Sequence, residues 1–291
     1  MSHSQTLGAG DALGAGDSYL LLDILPPELA AVAFDRVREE VRWDTMHHRG
    51  GEVPRLVAVE GEVGPDGSYP IYRHPSDTSP PLHPFSPTVA AIREHVQHAL
   101  KHPVNHVLIQ LYRNGADYIS EHADKTIDVV RGSGVVNVSL GATRIMKLRV
   151  KKSSGAGAAA EGSGAPPPRE TQRIPLPSNS MFVLGPLTNA RWLHGIGRDG
   201  RSAGCERISL TFRHVGTFLS AEGRRIWGQG AVGKTREEAR GVVHGPGEAT
   251  EELLAAFGAE NRLVDFDWEG WYGKGFDVVN FSTSGGEEDV E

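Results

Sequence analysis

From Val104 to Phe218 the chain is a succession of short segments rich in β-branched and aromatic residues, each bounded by glycine, asparagine or proline. His106–Tyr112, Val135–Leu140, Arg144–Val150, Ser180–Leu184 and Arg207–Arg213 are the clearest of them. Several short strands with turns between them argue for a sandwich or a partly closed barrel.

Helices flank this region. Pro26-Pro27 opens one expected to run to about Trp43, because proline is tolerated in a first helical turn. A second is expected with Ser86 as N-cap and Pro87 at the first helical position, followed by Val89, Ile92, Val96 and Leu100 in one stripe. Val53–Val59 and Tyr69–His74, between them, read as short strands and loops. The fold class is therefore mainly β with flanking helices. Residues 1–17 repeat Leu-Gly-Ala-Gly-Asp and read as a disordered N-terminal tail. Within 151–170, the small residues and prolines of Ser153–Pro168 read as a flexible hairpin insertion. Residues 219–291 read as a C-terminal extension with one helix around Thr250–Ala259 and an acidic tail. Trp268, Trp271, Tyr272 and Phe276 are expected to pin it to the core.

On an extended chain residues i and i+2 point the same way, so His122 and Asp124 can face one ion. With His194 they supply two imidazoles and one carboxylate, the facial ligand set of non-haem Fe(II). Taken singly, the pair also fits a solvated turn, and His194 a packed histidine. The strand Arg207–Arg213 adds a second constraint. Alternation puts Arg207, Ser209, Thr211 and Arg213 on one face and Ile208, Leu210 and Phe212 on the other. Two arginines inside a barrel are costly unless each meets an anion, and a dicarboxylate offers both a partner. A solvent-facing strand would show the same pattern.

His106–Lys125, Val138–Gly141, Trp192–His194 and Arg207–Arg213 resemble the AlkB family of Fe(II)/2-oxoglutarate-dependent dioxygenases, and Val53–Ala58, Tyr69–Tyr72 and Pro84–Pro87 resemble the region preceding that family's core. The resemblance implies a double-stranded β-helix (jelly roll) core within a dioxygenase domain spanning 18–218. It implies Fe(II) held by His122, Asp124 and His194 as the catalytic centre, with O2 as oxidant. Arg207 and Arg213 would bind the 2-oxoglutarate carboxylates, with Tyr112, Gln110 and Ser209 assisting. The implied reaction is oxidative demethylation of N-alkylated nucleobases, with alkylated DNA or RNA as partner. The alternative is hydroxylation or demethylation of a protein side chain or small metabolite.

The chain departs from the family pattern at three places. Gln110 and Ser209 stand where asparagine is usual, and Thr126, with Asp128 beyond it, stands where an acid contacts the base. Thr126 and Asp128 are thus candidate substrate contacts, and Tyr69, Tyr72 and Trp43 are candidate stacking partners for an extruded base.

Charge neither requires nor forbids a nucleic-acid partner. Of the net −7, residues 216–291 hold 7 Lys/Arg against 15 Asp/Glu, or −8, which leaves residues 1–215 at +1. No apolar run approaches the ~18 residues of a membrane span. The single Cys205 excludes an internal disulfide, so an intracellular location, cytoplasmic or nuclear, is expected. Gly228–Thr235 matches the phosphate-binding P-loop pattern, but no buried apolar strand leads into it, so an ordinary glycine-rich turn into a helix ending by Arg240 is expected there.

Overall fold

The computed structural model describes residues 4–48, 51–75, 80–152, 169–200 and 204–281. Two sheets carry the fold. Their strands, in chain order, are β1 Ser4–Thr6, β2 Tyr19–Leu22, β3 Leu56–Gly61, β4 Leu82–Pro84, β5 His106–Tyr112 and β6 Ile119–His122. Then come β7 Val135–Gly141, β8 Arg144–Val150, β9 Thr171–Leu176, β10 Ser180–Leu184, β11 Trp192–Ile196 and β12 Arg207–Arg213. The helices are α1 Pro27–Ala30, α2 Ala33–Glu40, α3 Pro87–Leu100, α4 Pro186–Arg191, α5 Glu248–Arg262 and α6 Trp268–Tyr272.

The larger sheet has the order β2-β10-β7-β12-β5-β3-β4 and the smaller β1-β9-β8-β11-β6. Between β5 and β12 the chain passes repeatedly from one sheet to the other, which is the path of a double-stranded β-helix. One core lies between the sheets, where Tyr112, Phe182 and Leu184 meet Met146, Leu148, Ile174 and Trp192. The other lies behind the larger sheet, where Val37 of α2 and Val89, Ile92 and Val96 of α3 cover Ile109, Val138, Ile208, Leu210 and Phe212. The last three are fully buried, and each such side chain contributes roughly 1.5–3 kcal/mol. The apolar face of β12 thus packs on helices. Its arginine face therefore points into the roll, not into solvent.

The expected helix from Pro26 to Trp43 is two helices, because Val32 leaves helical geometry at φ −120°. Ser86 does stand at the N-cap of α3, but its side chain does not cap. Glu40 does so instead, accepting from the Thr88 N–H at 2.8 Å and the Thr88 hydroxyl at 2.7 Å. Trp43 packs against the helix-side core and donates Nε1–H to the Arg38 carbonyl, so it offers no stacking platform.

Residues 4–17 are ordered, contrary to the expected tail. β1 pairs in parallel with β9, and Leu7 and Leu13 are buried in the core between the sheets. Asp17 accepts from the Leu187 and Thr188 N–H groups in the first turn of α4. One glycine of the repeat serves a close approach: Gly14 has φ +60°, and a Cβ there would lie 2.3 Å from Thr188 Cγ2. Most of the expected 151–170 insertion, and the acidic tail, lie outside the described residues. Lys151, at the insertion's start, is buried and donates Nζ to the Glu260 carbonyl at 2.7 Å.

The C-terminal segment packs on the roll. Leu253, Ala256 and Phe257 of α5, Tyr272, Phe276 and Phe281 form a core with Ile127. Trp268 joins it partly, but Trp271 is exposed and stacks on Phe266. A buried ion pair ties the parts together. Arg73 Nη2 meets Asp128 Oδ1 at 2.6 Å, with side chains 1% and 0% exposed. The same guanidinium donates to the carbonyls of Gly230, Phe276 and Val278. Gly228–Thr235 forms a turn, but the helix expected to follow it to Arg240 is absent. Lys234 Nζ donates to the Gln229 and Ala231 carbonyls of its own loop, and no helix follows to point its N-terminus at a phosphate.

Candidate active site

His122 ends β6, and His194 lies directly opposite it on β11. The two rings are 4.3 Å apart, centre to centre. Gly195 permits this approach, because a Cβ there would sit 2.9 Å from the Ile119 carbonyl oxygen across the strands. Asp124 lies beyond the strand's end, so alternation alone does not aim it. Asn189 of α4 does: its Oδ1 accepts the Asp124 N–H and its Nδ2 donates to the Asp124 carbonyl, both at 2.9 Å. Asp124 Oδ1 then lies 3.7 Å from His122 Nε2 and 3.8 Å from His194 Nε2.

One donor atom from each of these residues falls within 4.8 Å of the other two. The protonation states suit a cation. Burial would raise the Asp124 carboxyl, but the Arg213 guanidinium and both imidazoles outweigh it and hold it well below the usual range. Burial, helped by His122, pushes His194 down to about 3, so its ring is neutral. The Ser120 carbonyl accepts from His122 Nδ1 at 2.7 Å, which leaves Nε2 as the ligating nitrogen. Two imidazoles and a carboxylate on one side of a point suit Fe(II) and leave its remaining positions open.

The polar face of β12 lines the cavity beside this triad. Arg213 Nη2 meets Asp124 Oδ2 at 3.1 Å, and its guanidinium stacks 3.8 Å from the centre of the Tyr72 ring. Arg207 donates Nη2 to Asn137 Oδ1 and Ser139 Oγ, while its Nε and Nη1 are enclosed without a partner. Tyr112, opposite Arg207 in the register, stands with its ring 5.2 Å from that guanidinium. Unmet donors on a buried guanidinium cost about 1–3 kcal/mol until an acceptor arrives. A carboxylate presenting two oxygens fits that need.

Ser209 faces the same cavity and accepts from Asn137 Nδ2. Gln110, with its amide oriented by the hydrogen-bond network, accepts from Arg55 Nε at 3.1 Å and donates to the Tyr112 hydroxyl at 3.3 Å. Asn137, Asn189 and Arg55 are functional-site residues that the sequence reading missed. A signal for Asn137 existed, because Asn137 and Ser139 are the two polar residues on one face of an apolar strand.

A cleft of about 600 Å³ opens beside the triad, within the usual range for a small-molecule site. Met46, Val53, Arg55, Tyr72 and Tyr118 line it together with His122, Asp124 and Arg213. The other expected substrate contacts lie elsewhere. Tyr69 packs with Leu219 and Ile226 in a separate cluster. Thr126 turns toward α5, where its N–H and hydroxyl both meet the Glu260 carboxylate. Asp128 is consumed by Arg73. These three positions are corrected: packing of the C-terminal segment draws them away from the cleft.

Residues 17–213 match the 2OG-Fe(II) oxygenase superfamily. The human DNA oxidative demethylase ALKBH2 is 32% identical over 191 residues, 62% of this chain and 67% of that one. The human alpha-ketoglutarate-dependent dioxygenase alkB homolog 3 is 28% identical over 186 residues, 61% of this chain and 56% of that one. This chain thus spans about two thirds or less of the curated relatives it matches. The solved structure of OsALKBH1 superposes with a TM-score of 0.44 at 16% identity, covering 68% of this chain and 96% of that one.

Proposed function

The chain belongs to the 2OG-Fe(II) oxygenase superfamily, and from that membership we propose that it is an AlkB-type dioxygenase that demethylates N-alkylated bases in DNA. The observation that carries the reading is the convergence of three ligand atoms within 4.8 Å beside an arginine with unmet donors. The relatives named DNA oxidative demethylase support DNA as the substrate. Among the described residues no helix is long and apolar enough to cross a membrane. A nuclear or cytoplasmic location belongs to the same proposal.

In this reading His122, Asp124 and His194 hold Fe(II). When bound, the iron with 2-oxoglutarate and O2 supplies the two-electron oxidation of an N-methyl C–H bond, releasing succinate and CO2, and formaldehyde as the hydroxymethyl group collapses. The chain's own residues orient and shelter the reactants. Arg207 takes one co-substrate carboxylate through Nε and Nη1, while Asn137 and Ser139 hold the guanidinium in place. Arg213 keeps Asp124 ionised and, with Tyr72 over its face, closes the side of the cavity toward the cleft. Tyr112, braced by Gln110, adds a hydroxyl donor. Phe182, Leu184 and Met146 line the rest of the cavity with apolar surface that excludes water.

The direct test supplies Fe(II), ascorbate and 2-oxoglutarate and measures succinate and formaldehyde, with and without methylated DNA and RNA oligonucleotides. Formaldehyde released from DNA supports the reading. Release from RNA alone would move the substrate, and succinate that no oligonucleotide stimulates would point to a protein or metabolite. Arg207→Ala should raise the 2-oxoglutarate concentration for half-maximal succinate formation about 10–100-fold, since a charged hydrogen-bond partner contributes roughly 1.5–3 kcal/mol. An unchanged requirement would remove Arg207 from the co-substrate site.

A further inference from the structure

The cleft beside the triad has a wall that the superfamily match, ending at residue 213, does not include. Leu254, Phe257, Gly258 and Asn261 of α5 line it. Their spacing of three, four and seven residues from Leu254 places them on one helix face. Phe257 is locked in that position by edge-on contacts with Tyr272 and Phe281. Gly258 is a glycine within a 15-residue helix, where any other residue except proline would favour the helix more. Its missing side chain leaves room beside the cleft, where the flexible guanidinium of Arg262 lies 2.9 Å from the place of a Cβ. Asn261 Oδ1 accepts the Ala123 N–H at 2.8 Å, between the two ligand positions of the metal loop. That bond fixes the amide plane and leaves Nδ2 as a donor to the cleft. Lys125 lines the same cleft, and its enclosed Nζ has no hydrogen-bond partner. A polar group arriving with a ligand would satisfy both.

We propose that α5 is the substrate-selecting wall of this enzyme. Leu254 and the side-chain-free turn at Gly258, laid over the buried Phe257 and flanked by the Arg262 guanidinium, receive a heteroaromatic ring, and Asn261 Nδ2 donates to an acceptor on the ring's edge. The inference rests on the nucleobase reading above and adds to it the element that recognises the base. It also explains why the acid expected near Thr126 is not used. The C-terminal segment occupies Thr126 through Glu260 and presents its own helix to the cleft.

The test is a graded series, Gly258→Ala and Gly258→Leu, with Asn261→Asp, which keeps the oxygen that accepts from Ala123 and replaces the donor by an acceptor. The Gly258 variants should fold, because they favour the helix and the nearest atom to a new Cβ is the flexible end of Arg262, 2.9 Å away. Formaldehyde release from a methylated DNA oligonucleotide is measured against oligonucleotide and 2-oxoglutarate concentration, with melting temperature as the folding control. The KM for the oligonucleotide should rise from wild type through Gly258→Ala to at least tenfold in Gly258→Leu. Asn261→Asp should raise it by a similar factor, and the KM for 2-oxoglutarate should move by less than twofold in every variant. Oligonucleotide KM values unchanged across the series, in an active wild type, would overturn the proposal. A wild type that releases no formaldehyde from any oligonucleotide would strike down the nucleobase reading and the proposal with it.

Discussion

Replacing His194 by alanine is expected to abolish 2-oxoglutarate turnover, by a factor on the order of 10³ or more. Loss of a residue that merely orients a ligand typically costs 10–100-fold, and His194 supplies a donor atom itself. The stability signature should be as informative as the activity. His194 is half-buried with its Nδ1 enclosed and unpartnered, so its removal relieves an unmet polar group in the metal-free protein. The metal-free variant should therefore melt close to the wild type. What it should lose is stabilisation by a divalent cation, which at a hundredfold excess over Kd amounts to about 2.7 kcal/mol. Thermal melts with and without Mn(II) under argon, alongside succinate assays with Fe(II), read both quantities. A variant that kept a tenth of the succinate rate, or the full cation-dependent rise in melting temperature, would show that His194 is not a ligand.

Much of the roll was legible in the sequence, and for a physical reason. β5, β8, β10 and β12 have the bounds expected, because each is an uninterrupted run of β-formers between turn residues. β9 was not foreseen as a strand, because Pro175 and two long polar side chains weaken its local signal. The triad and both arginines could be picked out because ligand chemistry restricts residue type. Their supports could not. Asn189 acts on Asp124 from 65 residues away, and nothing local to Pro186–Arg191 marks it. The N-terminal repeat misled for the converse reason. Its small residues look like a linker, yet the two leucines and Asp17 find partners more than 150 residues along the chain.

The corrected positions show why proximity in sequence to a metal ligand is a weak guide to a substrate role. Thr126 and Asp128 follow Asp124 by two and four residues, but the chain between them turns under the C-terminal segment. There Ile127 enters the core with Phe257 and Tyr272. Once Ile127 is buried in that direction, its two neighbours are committed to polar partners within the same interface. Glu260 and Arg73 are those partners. The C-terminal segment is therefore part of what holds the metal loop, as well as a wall of the cleft.

Asp128→Ala tests that dependence, and it should cost about 3–5 kcal/mol, the range for removing one partner of a buried ion pair. The large value follows from what stays behind. Arg73 would keep its bonds to the carbonyls of Gly230, Phe276 and Val278 but would lose both carboxylate oxygens, leaving a charge 1% exposed with no counterion. Against a typical stability of 5–15 kcal/mol, that loss approaches unfolding at 37 °C. Removing the stranded charge as well, in Asp128→Ala with Arg73→Met, should recover part of the loss, because the penalty lies in the unpaired guanidinium more than in the missing attraction. Urea denaturation of the wild type and both variants measures this directly. The same variants separate a structural role for Asp128 from the substrate contact suggested by its place in the sequence. At 10 °C, where the single variant remains mostly folded, its KM for a methylated oligonucleotide should stay within about threefold of wild type, since Asp128 is fully buried away from the cleft. A large rise in that KM with little loss of stability would restore Asp128 to the substrate site and remove the ion pair from its place as the tie between the Tyr69–Arg73 segment, the metal loop and the C-terminal segment.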